Sequence, residues 1–355
     1  MMREISNYTI YSFILLCFFA SCNSVSDRDH ELLCDKNQIT SSFLLTVSQA
    51  KDQLSSDEDI ILIEVSDATK YNKEHLPGAI NLWRPDFRSK SNKNVKGWRC
   101  SKKELEELLS NLGVDSTTTL IIYDTKGSVD AFRLTWVLDL YGFENHKVIN
   151  GGLTSWKQAG YNTTTEPSSQ KAMNAFTIQG GGDSTLVASL EDVSNAISDP
   201  ETIIIDTREA YEYLGQPFIA GNKIHKYKKG AFTHGCIPSA IHLNWSDLSD
   251  LSGDHRIKCK KDMIYNLEQI GATPDKNIIV YCQSGSRSSH TAFVLRHILD
   301  YPNVKNYDGS WIEWSGEFIN NGSVAIEQKT NKASFNKMIS DLKLTLKENK
   351  LKKNK

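Results

Sequence analysis

The stretch Val280-Tyr281-Cys282-Gln283-Ser284-Gly285-Ser286-Arg287-Ser288 joins an apolar segment to a segment with helical spacing. Ile278–Tyr281 predicts a buried strand, and Ser288–Leu299, with apolar residues three and four apart, predicts a helix. The loop between them lies at a helix N-terminus, where unpaired backbone N–H groups and the helix dipole favour negative charge. That position stabilises the thiolate of Cys282, which is the reactive form of a cysteine. The stretch therefore predicts a strand, an anion-binding loop and a helix, with a nucleophile where the strand ends.

The other residues of this loop supply the binding groups. Backbone N–H groups from Gln283 to Ser288 can hold an anion, and Gly285 permits a tight turn at little steric cost. Arg287 adds a fixed positive charge, which either braces the loop or contacts the bound anion directly. The predicted anion-binding residues are Gln283, Ser284, Gly285, Ser286 and Arg287.

The chain contains an internal repeat of this strand–loop–helix segment. Tyr123–Ser128 aligns with Tyr281–Ser286 at an offset of 282 − 124 = 158, and the same offset carries Trp156 onto Trp314. Asp124 therefore stands in the first copy where Cys282 stands in the second, and the second copy has an insertion over 218–233. We predict two related domains, 40–165 and 183–325, joined by a linker over 166–182 and followed by a Lys-rich tail over 326–355.

Both copies alternate short apolar strands with helices of amphipathic spacing. This pattern predicts the α/β class, with each domain built on a mostly parallel sheet that helices flank on both faces. The expected strands are Ile60–Val65, Thr119–Tyr123 and Lys147–Ile149 in the first copy, and Thr202–Asp206, Ile278–Tyr281 and Val304–Tyr307 in the second. Ligands of such sheets bind beyond the carboxyl ends of the strands, which is where Cys282 falls.

Composition narrows the possible partners. A net charge of −2 leaves no basic excess to replace the counterions of a phosphate backbone, so nucleic acid is not expected as a partner. No Cys or His cluster has zinc spacing, so neither a metal nor a cofactor is expected. The Lys-rich tail predicts a terminal helix with a solvated end, and a contact with a membrane surface or a partner is the alternative.

The first 22 residues have the pattern of a targeting segment. Arg3 precedes an apolar run from Tyr11 to Ala20, which is too short to span a bilayer. Phe19-Ala20-Ser21-Cys22 resembles the lipobox of bacterial lipoprotein signal peptides, in which the cysteine is lipidated and becomes the mature N-terminus. We expect a signal over 1–22, a lipid on Cys22, a tether over 23–39, and attachment through this lipid to a membrane of the bacterial cell envelope. A plain secretory signal and an uncleaved anchor are the alternatives.

Three signatures recur in the two copies and carry a family resemblance. They are the acidic end of the first strand, the proline turn at Gly235-Cys236-Ile237-Pro238-Ser239-Ala240, and the Gly/Trp segment at Tyr307–Trp314. The chain thereby resembles the tandem-domain rhodaneses, which include thiosulfate and 3-mercaptopyruvate sulfurtransferases. The likeness runs roughly from Thr40 to Gly322.

The resemblance implies a role for each site residue. Cys282 would attack the outer sulfur of a small anionic donor and become a persulfide, and cyanide or a thiol would then remove that sulfur. Asp124 would mark an inactive first domain, because a carboxylate cannot form a persulfide. Arg208 matches a family arginine that helps to bind the donor, although a structural ion pair with an acid such as Glu212 is an alternative. The loop departs from those of the two named enzymes, so thiosulfate and mercaptopyruvate both stay open.

Two other functions fit parts of the same pattern. Cysteine phosphatases and arsenate reductases place five residues between the Cys and Arg of their loops, whereas here four residues lie between Cys282 and Arg287. The shorter loop suits a single sulfur better than a whole phosphate. A sulfur carrier that passes its persulfide to a partner protein, without enzymatic turnover, is not excluded by any feature of the sequence.

Overall fold

The computed structural model describes residues 39, 41–56, 59–92, 95–168, 172–179 and 181–353. The predicted signal over 1–22, its Cys22, and the tether up to residue 38 lie outside the described residues. Within the described ranges, no helix is both long enough and apolar enough to cross a membrane.

The first copy is built on a sheet of five parallel strands in the order β1-β5-β4-β2-β3. The strands are β1 (Leu44–Leu45), β2 (Ile60–Val65), β3 (Ile80–Leu82), β4 (Thr119–Asp124) and β5 (His146–Ile149). The helices are α1 (Val47–Leu54), α2 (Ala68–Tyr71), α3 (Lys102–Asn111), α4 (Ala131–Tyr141) and α5 (Gly152–Gln158). Apolar side chains from both faces of the sheet are buried against these helices, as the continuous apolar strands predict.

The second copy repeats this plan with four parallel strands in the order β11-β10-β6-β9. They are β6 (Thr202–Asp206), β9 (Ile241–His242), β10 (Asn277–Tyr281) and β11 (Val304–Asn306). The parallel bridge of Val187 to Asn306 extends the sheet at the edge where β1 lies in the first copy. The helices are α6 (Leu190–Ala196), α7 (Ala210–Tyr213), α8 (Lys260–Gln269), α9 (Ser286–Phe293), α10 (Ser310–Asn320) and α11 (Lys332–Lys353). The predicted α/β class and the mostly parallel sheets are therefore confirmed.

The helix after the cysteine loop begins at Ser286, two residues before the predicted start at Ser288. The difference arises because Gly285 takes a left-handed conformation, with φ of 84°, and its carbonyl accepts the first helical hydrogen bond from Ser289. The last turn, Val294–Ile298, is a π-helix. The loop is therefore even shorter than the sequence pattern indicated.

The insertion over 218–233 forms an antiparallel hairpin of β7 (Phe218–Ala220) and β8 (Lys223–His225), which joins neither parallel sheet. Phe218 of β7 packs on Tyr211 of α7, with ring centroids 4.8 Å apart, and β8 contacts α11.

The predicted linker and tail both make contacts with the domains. Ile178 is buried in the core and its N–H donates to Glu106 at 3.1 Å, so the described part of the linker packs on the first domain. Cys236 and Glu327 exchange two backbone hydrogen bonds of 2.9 Å, which extends the second domain beyond residue 325. The tail then forms α11, which agrees with the prediction of a terminal helix.

The two copies share one hydrophobic core. Phe132 of α4 stacks on Phe293 of α9, with ring centroids 3.8 Å apart, and both belong to a single buried cluster that spans the two sheets. The helix that follows the cysteine loop thus packs directly on its counterpart in the first copy.

Candidate active site

Cys282 lies directly after β10, at the carboxyl edge of the second sheet, and its loop is held by one hydroxyl group. The Ser310 Oγ accepts hydrogen bonds from the N–H groups of Cys282 and Gly285, each at 3.1 Å, and donates to the Tyr307 carbonyl at 2.7 Å. The N–H of Trp311 donates to the Cys282 carbonyl at 3.0 Å. The first turn of α10 therefore fixes the shape of the loop.

Glycine is the only residue type that fits position 285 without strain. Its φ of 84° is unfavourable for residues with a Cβ, and a Cβ there would overlap the Asp308 carboxylate and lie 2.8 Å from Nη1 of Arg133. Asp308 thus lies directly against the turn of the loop.

The environment of Cys282 favours its thiolate. The side chain is buried, and the Ser288 hydroxyl lies 3.6 Å from the sulfur and can donate to it. Burial raises the pKa of the thiol, but the charge of Arg287, the Ser288 hydroxyl, and backbone N–H groups of Ser288 and Ser284 outweigh it and hold the pKa of Cys282 below its usual value. A thiolate held by N–H donors in a short loop can act as a nucleophile.

Arg287 is held by a carboxylate rather than pointing freely into the site. Its two terminal nitrogens donate to the two oxygens of Glu212, at 2.6 and 3.0 Å. Lys228, which follows the hairpin, donates to the same carboxylate at 3.0 Å. Burial raises the pKa of Glu212, but Arg287 and Lys228 outweigh this and lower it to about 2, so Glu212 is ionised.

Arg208 is fully buried beneath the loop, and its ion-pair partner is Asp206 rather than Glu212. Its Nη2 donates to Asp206 at 2.6 Å and to the Gly235 carbonyl at 2.8 Å, and its guanidinium lies over the ring of Trp311. The alternative of a structural ion pair is therefore realised with a different acid. Arg208 also borders a small cavity next to Gln283, and its role in donor binding stays a prediction.

In the first copy, the corresponding loop binds the side-chain carboxylate of its own residue Asp124. Asp124 accepts hydrogen bonds from the N–H groups of Lys126 and Ser128 with one oxygen, at 2.8 and 2.9 Å, and from Asp130 with the other, at 2.8 Å. The backbone N–H groups of this loop therefore bind a negatively charged group, which here is part of the chain. Burial and the neighbouring Asp130 raise the pKa of Asp124 to about 6 against the effect of these hydrogen bonds.

Several residues of the site were not identified from the sequence. Ser288 and Ser310 contribute their hydroxyl groups. Lys228, in the insertion, pairs with Glu212, and Asp308 lies against Gly285. The repeat offset aligns Ser310 with Gly152, so the first copy has no hydroxyl at this place that could have indicated Ser310. Contacts of Lys228 and Asp308 depend on segments distant in the chain, so no local signal predicts them.

The other described cysteines do not join the site. Cys100, Cys236 and Cys259 are buried, and no disulfide links any of the described cysteines. Burial raises the pKa values of Cys100 and Cys236 to about 12, which keeps both as thiols. Among the described residues, no group of His, Cys, Asp and Glu could hold a metal ion.

Comparisons with known proteins agree with the two-copy plan. The sequence model of the rhodanese-like domain matches residues 46–159 and 189–317. The chain is 32% identical over 272 residues to a candidate thiosulfate sulfurtransferase of Saccharopolyspora erythraea, a match that covers 76% of this chain and 92% of the relative. It is also 32% identical over 267 residues to the sulfur carrier protein TtuD of Thermus thermophilus, covering 74% of this chain and 86% of the relative.

A solved structure shares the fold. The anaerobic ergothioneine biosynthesis enzyme from Chlorobium limicola, in complex with trimethyl histidine, matches 81% of this chain and 70% of its own with a TM-score of 0.65. The sequence identity is 21%, so this likeness concerns the fold alone.

Proposed function

This chain belongs to the rhodanese family, and from that premise we propose that it is a sulfurtransferase that moves one sulfur atom from a small anionic donor to a thiophilic acceptor through a persulfide on Cys282. The observation that carries the proposal is the buried Cys282, whose lowered pKa and surrounding N–H donors suit a thiolate and, after one sulfur is added, a persulfide anion.

The first half-reaction loads the cysteine. The Cys282 thiolate attacks the outer sulfur of the donor, a new S–S bond forms, and the bond from that sulfur to the rest of the donor breaks. With thiosulfate the leaving group is sulfite, which departs with the electron pair. With 3-mercaptopyruvate the carbon–sulfur bond breaks, and the enolate that leaves takes a proton to become pyruvate. The loop N–H groups and Arg287 stabilise the negative persulfide.

The second half-reaction empties the cysteine. Cyanide or a thiolate attacks the outer sulfur of the persulfide, and the S–S bond breaks with its electron pair returning to Cys282. The products are thiocyanate or a new persulfide, together with the regenerated thiolate. No cofactor or metal takes part in either step.

The decisive experiment is intact-mass analysis after exposure of the protein to thiosulfate or to 3-mercaptopyruvate. We expect a gain of one sulfur atom that is lost on addition of cyanide, and the donor that produces it identifies the substrate. Cys282→Ser should abolish the gain and the formation of thiocyanate, because an alcohol does not form a persulfide. Asp124→Ala is the matched control and should retain both.

If Cys282→Ser still formed thiocyanate at the wild-type rate, the persulfide mechanism would be wrong. A protein that gained sulfur but turned over slowly with cyanide would instead be a sulfur carrier, the alternative that the Thermus relative's name favours. Hydrolysis of an aryl phosphate is not expected, since both terminal nitrogens of the Arg287 guanidinium already pair with Glu212.

We further propose that the protein is anchored to an envelope membrane through a lipid on Cys22. The support is the sequence pattern alone, namely Arg3, the apolar run from Tyr11 to Ala20 and the Phe19-Ala20-Ser21-Cys22 motif. In cells fed a labelled fatty acid, the wild-type protein should carry the label and sediment with membranes, whereas Cys22→Ala should lack the label. Equal labelling of the two would rule out Cys22 as the lipidation site.

A further inference from the structure

The inserted hairpin closes a small cavity over the cysteine loop. Phe218 of β7 and the residues that follow β8, Lys226, Tyr227 and Lys228, face Gln283 of the loop across this cavity. The free space is about 10 Å³, which is roughly the room that one water molecule needs. A donor that reaches the cysteine loop through this cavity has to displace side chains that the hairpin contributes.

A chain of alternating charges runs from the nucleophile to the hairpin. The Cys282 thiolate is next to Arg287, Arg287 is held by Glu212, and Glu212 is held by Lys228. The carboxylate side chain of Glu212 is 3% exposed, so this pairing takes place out of water, where charges interact strongly. Counting one charge for each group, −1 + 1 − 1 + 1 leaves the chain neutral before any donor binds.

Both terminal nitrogens of the Arg287 guanidinium are already paired with a carboxylate of the same chain. A guanidinium binds a group with two anionic oxygens through two parallel hydrogen bonds, and Glu212 makes both of them here. The donors that line the cavity include Lys226, Lys228 and the amide of Gln283. Arg208 also borders the cavity, but its guanidinium is paired with Asp206. The Gln283 Nε2 is buried and has no hydrogen-bond partner among the described residues, so it is free to donate to a ligand.

We propose that Glu212 is a specificity-determining residue that occupies Arg287 in place of the donor, so that the hairpin lysines and Gln283 bind the donor's anionic group and monoanionic donors are favoured over dianionic ones. This inference rests on the proposed function and concerns the charge of the donor. Glu212 repels a second negative charge, and Lys228 supplies attraction only to the extent that the donor draws it away from Glu212.

The test compares two donors that differ by one charge. Thiosulfate is a dianion and methanethiosulfonate is a monoanion, and each gives one sulfur to Cys282, releasing sulfite or methanesulfinate. The measured quantity is the ratio of kcat/KM for thiosulfate to kcat/KM for methanethiosulfonate, with thiocyanate as the product. Glu212→Gln keeps the shape of the side chain and should raise this ratio about tenfold, because the charge chain becomes +1. Lys228→Gln, which alters a partly exposed side chain, should lower the ratio.

Glu209→Gln is the matched control. Glu209 lies on the same turn, 3.7 Å from Nη1 of Arg287, but its side chain is 39% exposed, so removal of its charge should change the ratio less than twofold. A ratio that stays unchanged in both Glu212→Gln and Lys228→Gln, while wild-type protein still loads sulfur, overturns this inference and leaves the proposed function standing. Failure of the wild-type protein to load sulfur from either donor overturns the proposed function itself.

Discussion

At the scale of single residues, the pKa of Cys282 depends on burial, which raises it, and on Arg287, the Ser288 hydroxyl and two backbone N–H groups, which lower it. Burial alone would keep the sulfur protonated, as it does for Cys100 and Cys236, whose pKa values rise to about 12. Cys282 is equally buried but lies beside Arg287, and its pKa falls below the usual value. The pKa values of these cysteines therefore differ because of the charge and the hydrogen-bond donors near Cys282, and not because of burial.

Replacement of Arg287 tests this balance. Arg287→Met should raise the pKa of Cys282, because the thiolate loses the charge that stabilises it, so the alkylation rate at neutral pH should fall at least tenfold. The measurement is the rate of alkylation by iodoacetamide as a function of pH, followed by mass analysis of the Cys282 peptide. The control is Arg296→Met, since Arg296 bonds to the Val304 carbonyl at the opposite end of the sheet. An unchanged midpoint in Arg287→Met would show that the loop N–H groups alone lower the pKa.

At the scale of elements, the loop that carries the nucleophile is shaped by contacts from outside itself. The Ser310 hydroxyl accepts hydrogen bonds from two of its N–H groups, and Asp308 lies directly against Gly285. In the first copy the corresponding loop closes on the Asp124 carboxylate instead. The same strand–loop–helix unit thus holds an aspartate carboxylate in the first copy and a cysteine in the second.

Gly285 offers a matched pair of substitutions for this element. Gly78 has nearly the same φ, 85°, but no atom lies within 4 Å of a Cβ built there. Gly78→Ala should cost only the backbone strain of a left-handed residue, about 1–2 kcal/mol. Gly285→Ala should lower the unfolding free energy by more than that and also lose most persulfide formation, because the Asp308 carboxylate has to move.

Urea unfolding and intact-mass analysis after donor exposure measure the two effects. Equal losses of stability in the two alanine variants, with full persulfide formation in Gly285→Ala, would show that the loop tolerates displacement of Asp308.

At the scale of the whole molecule, side chains of the first domain contact Asp308, which lies against the Cys282 loop of the second domain. Arg99 and Arg133, both from the first domain, contact the two oxygens of the Asp308 carboxylate at 3.1 and 2.7 Å, and Asp308 is fully buried. Arg133 and Asp308 form an ion pair, but the N–H of Arg133 is not aligned for a hydrogen bond to this carboxylate oxygen. The first domain therefore contributes two of the side chains that hold Asp308 against the Cys282 loop.

Removal of Arg133 should destabilise the whole protein, since it leaves a buried carboxylate with half of its positive charge. We expect Arg133→Met to lower the unfolding free energy by about 3–5 kcal/mol, as is typical when one partner of a buried ion pair is deleted. Lys157→Met is the control, because the Lys157–Glu74 pair lies within the first domain and its side chains are 48% and 29% exposed, so about 1 kcal/mol or less is expected.

Urea unfolding followed by fluorescence, together with the rate of thiocyanate formation, measures this coupling. If Arg133→Met matched Lys157→Met in stability and kept the wild-type rate, the first domain would not support the loop.

The sequence by itself determined the class of fold and the repeat, and it singled out Cys282 as the predicted nucleophile. Apolar runs that alternate with amphipathic segments indicate parallel sheets, and an offset of 158 residues relates Cys282 to Asp124, because these are patterns of neighbouring or regularly spaced residues. It also predicted that the loop of Cys282 follows a strand and precedes a helix, with the helix start misplaced by two residues.

Only the tertiary structure decided which charges meet. The partner of Arg287 is Glu212, 75 residues away, and the partner of Arg133 is Asp308 in the other domain. Such pairs depend on how helices and loops pack, and each side chain alone could pair with many others, so local spacing carries no signal for them. The loop that the sequence predicted as anion-binding, Cys282 to Arg287, thus contains a cysteine whose thiolate is favoured and the N–H groups that stabilise it. Its arginine already pairs with Glu212 through both terminal nitrogens.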